Sequence, residues 1–199
     1  MYTDMLISMP NFVNKTLNKL NYICKTKHQL ALHKWTIPIY GKNKQFPQPI
    51  DISALLDKEG IKYVQRTVGS FLYYTIAIDN TILPALNETA LSQAKPTQNT
   101  LGKMQMLLDY LNTYLDAKIR FLASDMNLHV DSDAVYLVAP NAKSRISGFY
   151  YMSDIPKPKL NGPVLDECKL LKHIVTSTAE ADTAGLFYNT QADVDFKIF

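Results

Sequence analysis

The sequence predicts a mixed α/β chain: a helical N-terminal half, then a mixed β-sheet with a helix packed on it. Three observations carry this. Leu101, Met104, Leu108, Leu111 and Leu115 recur at spacings of 3, 4, 3 and 4, which is the period of one helix face. At Ala117 the pattern changes to alternation, first around Ile119 and Phe121, then through Met126, Leu128 and Val130. Ser177-Thr178-Ala179-Glu180 is a capping-box pattern that opens a further helix.

The elements follow in order. Ser8-Met9-Pro10-Asn11 reads as a helix start, with Val13, Leu17 and Leu20 on an apolar stripe and Lys15 and Lys19 on another face. That helix is expected to end near Asn21 or Tyr22. Residues 23–57 hold Pro38, Pro47 and Pro49 and no sustained period, so they read as irregular. Within them, Trp35 to Gly41 reads as an extended stretch with apolar anchors. Ile61, Val64, Val68, Phe71 and Thr75 mark a helix over about 58–78. Asp79-Asn80 is turn chemistry. Thr81 to about Gln93 reads as the next helix, with Pro84 in its first turn. Lys95-Pro96-Thr97 breaks the chain before the Leu101–Leu115 helix. Its methionine and leucine stripe is core material and carries no cofactor role.

In the second half, two strands are expected on either side of Ser124-Asp125, with a third over Ser147 to Met152. Val164 to about Leu171 is a fourth candidate, left ambiguous by Glu167 and Lys169. The helix opened by Ser177 runs through Ala184, Leu186 and Phe187, and the remaining stretch has no clear period. There is no internal repeat and no low-complexity tract.

Charge and composition narrow the function classes. Apolar residues make up 47% of 199, enough to offset chain entropy in a folded domain. No run approaches the length of a membrane span, and the first residues lack the basic stretch of a secretory signal. Cys24 and Cys168 lie far apart and form no metal-ligand spacing, as for reduced intracellular thiols. An intracellular, non-membrane protein is the expectation. The net charge of +3 divides unevenly. Residues 1–50 carry seven lysines and one aspartate, whereas residues 51–199 carry 14 basic and 17 acidic groups. A basic head of this kind suits nucleic acid, and suits equally a solvated segment missing its neighbours.

Two places hold carboxylates in a suggestive pattern. On the strand His129-Val130-Asp131-Ser132-Asp133, period two puts Asp131 and Asp133 on one face. On the capped helix, Glu180 and Asp182 are two apart and point in different directions. Glu180 stands at the third helical position, where its natural role is capping, and Asp182 is the freer group. A strand carboxylate meeting a helix carboxylate is the donor type that magnesium takes in phosphoryl-transfer nucleases. Solvated surface charges give the same spacing.

Taken together, these segments resemble the C-terminal part of a retrotransposon reverse transcriptase running into its ribonuclease H domain. Ser8 to Val13 with Leu17 is similar to a thumb-region helix of such Pol polyproteins, and Trp35 to Gly41 to the linker after it. Ile61 to Tyr74, Gln93 to Thr97 and Leu107 to Tyr110 resemble the helices before the nuclease. Ser124 to Ala134 resembles the first catalytic strand, Ser144 to Tyr150 the next strand, and Ser177 to Phe187 the first helix of the nuclease fold.

The resemblance implies three regions: 1–57, a thumb-like basic helix and irregular linker; 58–117, a helical connection region; and 118–199, a truncated ribonuclease H-like domain. It places Asp131 on the first catalytic aspartate and Asp182 where the family has its catalytic glutamate. Both would be ligands to Mg2+ in the hydrolysis of RNA within RNA–DNA hybrids. Lys15, Lys19 and Arg145 would contact nucleic acid, with Lys143 beside Arg145. The remainder of a Pol polyprotein would be a further partner. Two departures weaken catalysis. Asp182 is one methylene shorter than glutamate, and the family's third aspartate has no counterpart, since Asp193 and Asp195 lie outside its motif. Nothing resembles the polymerase's own aspartate motif, so the chain reads as a fragment. Three functions follow: an impaired nuclease, a non-catalytic module that binds nucleic acid or packs on a polymerase body, and a relic with no selected role. The blander alternatives are a surface role for His129 and core roles for Tyr73, Tyr74, Tyr150 and Tyr151.

Overall fold

The computed structural model describes residues 4–24, 28–32, 51–139 and 143–196. The expected extended stretch at Trp35–Gly41 lies outside the described residues. The elements are β1 (Met5–Ser8), α1 (Phe12–Lys19), α2 (Lys58–Ala77), a 3-10 turn (Asn80–Ile82), α3 (Leu83–Ser92), α4 (Gln98–Thr113), β2 (Lys118–Phe121), β3 (Asn127–Ala139), β4 (Lys143–Ser153), β5 (Pro163–Leu170) and α5 (Thr178–Phe196). The class is mixed α/β. Strands β1 and β2 form a two-stranded sheet, and β3, β4 and β5 a three-stranded one in that order. No helix among the described residues is long and apolar enough to cross a membrane.

The described residues fall into two compact units. One lies within Leu6–Ile37 and Asp51–Ile119, the other within Met1–Met5 and Arg120–Phe199. The division falls after Ile119. The regions 1–57 and 58–117 share one core, because Val13 and Leu17 of α1 are buried together with Val64, Val68, Phe71, Met104, Leu108 and Leu111.

In this helical unit the apolar periods bury as their spacing requires. Phe12 stacks on Tyr74, ring centroids 5.2 Å apart, and meets Phe71 edge-on at 6.4 Å. The start of α1 differs from expectation. Pro10 lies in a turn before the helix, and Asn11 at the cap position has a left-handed backbone and no side-chain cap bond. Met5–Ser8 is a strand, where the sequence marked no element ahead of the helix start at Ser8–Asn11.

Helix α2 begins where Asp57 accepts the Gly60 N–H at 2.8 Å. A Cβ at Gly60 would lie 2.9 Å from the Leu56 Cβ, so the close approach of the preceding chain requires glycine. Helix α4 begins at a capping box in which Thr97 and Thr100 each satisfy the other's backbone N–H. The chain before α2 is tied to this cap: Gln98 N–H donates to Ala54 O, and Leu56 N–H to Pro96 O, both at 2.9 Å.

The sheet unit is a β3–β4–β5 meander, antiparallel at both pairings, with α5 laid over β3 and β4. Asp131 pairs with Phe149, which pairs with Asp166. The strands are longer than the alternation alone marked. β3 continues to Ala139 through a bulge after Val135, near which Leu137 has a left-handed backbone. The ambiguous 164–171 segment is a strand, and α5 continues beyond Phe187 to Phe196. Ala181, Gly185 and Asn189, four residues apart, form the face of α5 turned to the sheet. Opposite them stand Ala134 and Ser132 of β3 and Ile146, Gly148 and Tyr150 of β4.

Candidate functional site

Strand alternation assigns the two carboxylates to different places. Because Ser132 and Ala134 face α5, Asp131 and Asp133 point from the opposite face of the sheet. Tyr151, paired in register with His129 and stacked on it, stands on this same face. Burial pushes its hydroxyl pKa up, and the Asp131 carboxylate pushes it further. Asp182 is exposed on α5, one turn before Gly185. Gly185 lies against Ala134 and the Asp133 carbonyl, whereas Asn189 lies against Ser132. Asp182 is therefore at the end of the contact away from Asp131, as well as across the sheet from it.

The structure does not bring Asp131 and Asp182 together, and a magnesium ion held by both does not fit this arrangement. Among the described residues no group of three or more His, Cys, Asp or Glu side chains is placed to hold a metal ion.

The face bearing Asp131 gathers other groups that the sequence had singled out. His129 stacks on Tyr151 with centroids 5.5 Å apart, and Phe149 tilts against Tyr151 at 5.6 Å. Tyr151 is buried, so its ring is part of the packing and is not open for stacking with a base. The His129 Nε2 atom is buried and finds no hydrogen-bond partner among the described residues. Arg145 donates from Nη1 to the Cys168 Sγ at 3.4 Å.

On the helical unit, Lys15 and Lys19 are both exposed, one turn apart on α1, with no acid on that helix. They present two cations to solvent on one face.

Glu180 takes the capping role read for it. Its carboxylate accepts the Thr176 N–H at 2.6 Å and the Thr176 hydroxyl at 2.8 Å, while Ser177 Oγ accepts the Glu180 N–H at 3.1 Å. The two bonds from Thr176 hold the Glu180 carboxyl below its ordinary pKa.

One polar residue escaped the sequence reading. Asn189 is 2% exposed and joins helix to sheet. Its Nδ2 donates to Ser132 Oγ at 2.7 Å and to the Ser147 carbonyl at 2.8 Å, and the Tyr150 hydroxyl donates to the Asn189 carbonyl at 3.0 Å. Its only sequence signal was its place eight residues beyond Ala181.

Neither the family models, nor the curated proteins, nor the solved structures contain a match to this chain.

Proposed function

We propose that the chain is a slice of a retrotransposon Pol polyprotein, from the end of the reverse transcriptase into its ribonuclease H region, and that it holds nucleic acid without hydrolysing it. One observation carries the reading. Three antiparallel strands in chain order are followed by a helix packed on one face, which is the order that the resemblance implies, yet the two acids stand on opposite sides of the sheet. A slice with this order and without convergent carboxylates suits binding, not hydrolysis. Lys15, Lys19 and Arg145 are the cations assigned to phosphate, and an RNA–DNA hybrid is the partner.

The test is a hybrid-cleavage assay in Mg2+ or Mn2+ run beside a binding titration at several salt concentrations. The expected result is no cleavage above that of Asp131→Asn. Binding should weaken steeply with salt, because each neutralised phosphate releases counterions. Removing Lys15 or Lys19 should flatten the plot of log K against log salt by about 1. Metal-dependent cleavage that Asp131→Asn abolishes would overturn the non-hydrolytic reading, and binding indifferent to salt would overturn the nucleic-acid reading.

A second reading, packing against the rest of a polymerase, is favoured by the outer face of α2. There Leu72, Tyr73 and Ile76 are 41%, 67% and 55% exposed beside Gly69. Tyr73→Lys should then abolish association with the adjoining Pol segment and leave hybrid binding unchanged.

A further inference from the structure

The helical unit holds a cleft of about 600 Å³ between the end of α1, the first turns of α2 and the first half of α4. That volume is in the range of small-ligand sites. Its construction starts at the end of α1. Asn21 has a left-handed backbone, its N–H donates to Asn18 O, and the Tyr22 N–H returns to Leu17 O. This pair of bonds is a Schellman stop, which turns the chain sharply and throws the residue after it back across the helix end.

Tyr22 is that residue. Its hydroxyl donates to the buried Asp109 carboxylate and, at 3.4 Å, to the Gln105 carbonyl. The ring is thereby fixed as one wall, with Leu20 and Leu101 as apolar neighbours. Tyr63, half-buried on α2, lines the cleft as well. Its hydroxyl pKa is raised by burial and opposed by the nearby Arg66 guanidinium.

The rim is cationic. Arg66 is exposed, and one of its N–H groups is fixed on the Lys19 carbonyl at 3.3 Å, so the guanidinium is held in place at the rim. Lys62 stands one turn before it, in an exposed pair with Glu59 at 3.3 Å, the one acid on the rim among the described residues. Such an exposed pair is weak and yields readily to a stronger anion.

Aromatic walls, apolar neighbours and a rim of guanidinium and ammonium are the chemistry of a planar base joined to a phosphate. The geometry points to this cleft as a nucleotide-binding site, with the base against Tyr63 and the phosphate on Arg66 and Lys62. Phosphate and base together belong to a free nucleotide or to one unit of a single strand. The inference rests on the nucleic-acid reading above only for the second source.

The experiment follows the fluorescence anisotropy of a labelled 12-residue oligodeoxyadenylate bound to the full chain, with 5′-AMP as competitor. Tyr63→Leu is expected to weaken binding about 5- to 100-fold with the salt slope unchanged, since it removes stacking and no charge. Tyr63→Phe, which keeps the ring, should bind as the parent does. Arg66→Gln should flatten the salt slope by about 0.7, the value for one phosphate contact on a single strand. Arg66 is exposed, so this variant tests the site even if Tyr63→Leu fails to fold. Displacement by AMP assigns the site to free nucleotides, and its failure beside strong oligonucleotide binding assigns it to a strand.

Parent-like binding by both Tyr63→Leu and Arg66→Gln, with loss in Lys15→Gln and Lys19→Gln, overturns the cleft and leaves the proposed function standing. Binding of AMP that depends on Tyr63 and Arg66, without any binding of RNA–DNA hybrid, upholds the cleft and overturns the proposed function. No binding of either probe overturns the cleft.

Discussion

Asn189 and Gly148 offer the sharpest test of how α5 is joined to its sheet. A Cβ at position 148 would stand 2.5 Å from the Asn189 Oδ1, 2.9 Å from its Cγ and 2.9 Å from a Tyr150 ring carbon. All three are inside the closest approach that carbon atoms make. Gly148→Ala must therefore displace the amide or the helix, and overpacking of this kind costs about 1–3 kcal/mol. Asn189→Ala has a different cause. It removes the donors to Ser132 and to the Ser147 carbonyl. Ser132 is exposed and turns to water, but the carbonyl under the helix loses that donor. Leaving such a group unsatisfied costs about 1–3 kcal/mol. The Tyr150 hydroxyl keeps its bond to the Asn189 backbone carbonyl in this variant.

In the double variant the new methyl group occupies space that the amide has vacated. The combined cost should fall below the sum of the two by about 1–2 kcal/mol, a coupling ordinary for side chains in contact. Because the chain has two units, the assay should be local. Amide hydrogen exchange read on peptides from β3, β4 and α5 gives the opening free energy of that unit, and peptides from α2 and α4 serve as the internal reference. Strictly additive costs, or a Gly148→Ala variant exchanging at the parent rate, would refute the contact and with it the seating of α5.

Two further predictions concern pH. The Asp51 carboxylate accepts from the Ser53 N–H at 2.9 Å, the Ser53 hydroxyl at 2.6 Å, the Thr97 hydroxyl at 2.5 Å and the Asn99 amide at 3.3 Å, and these bonds hold its pKa well below the carboxylate range. A depressed pKa gives stability that is present above the unfolded value of about 4 and lost as pH falls toward the folded one. Melting followed on the helical unit should therefore show a shallower decline between pH 5 and pH 2 in Asp51→Asn than in the parent, and equal slopes would sink the assignment. At the alkaline end the sign reverses. Burial raises Tyr22 and Tyr63, and burial with Asp79 pushes Tyr74 up to about 12. Protons held more tightly in the folded state give stability that is complete below about pH 10 and lost above it. Absorbance titration of phenolate should show a late-ionising group of tyrosines that shrinks in Tyr22→Phe, and ionisation of every tyrosine near pH 10 in the folded chain would contradict this.

The helices were legible because their signal is local. Met104, Leu108 and Leu111 of the stripe are buried as its spacing demanded, Leu101 and Leu115 are half-buried, and Thr97, within the expected chain break, caps the helix that follows. The start of α5 was legible for the same reason, since the bonds that Ser177 and Glu180 make there lie within Thr176–Glu180. The far half of α5 was not, because its contact face is made of Gly185 and Asn189, which carry no hydrophobic signal. Leu186 and Phe187, which do carry one, are 61% and 59% exposed. The strand at Met5–Ser8 was missed because four residues hold too little pattern to mark a strand that pairs only through a distant segment.

The sequence alone marked the order of helices α1 to α5 and of strands β2 to β5, and the sheet face on which each β3 side chain stands relative to its neighbours. Period two alone puts Asp131 and Asp133 on one face. It did not determine which face the helix would cover. That choice belongs to the tertiary structure and rests on volume and hydrogen bonding. Ala134, Ile146 and Gly148 leave room for a helix presenting Ala181 and Gly185, and the Asn189 amide finds its partners there. The aspartates, costly to bury unpaired, were left on the other side. A one-residue difference in phase would have put them beneath the helix. The distance between Asp131 and Asp182, and hence what the pair is able to do, was decided only by that packing.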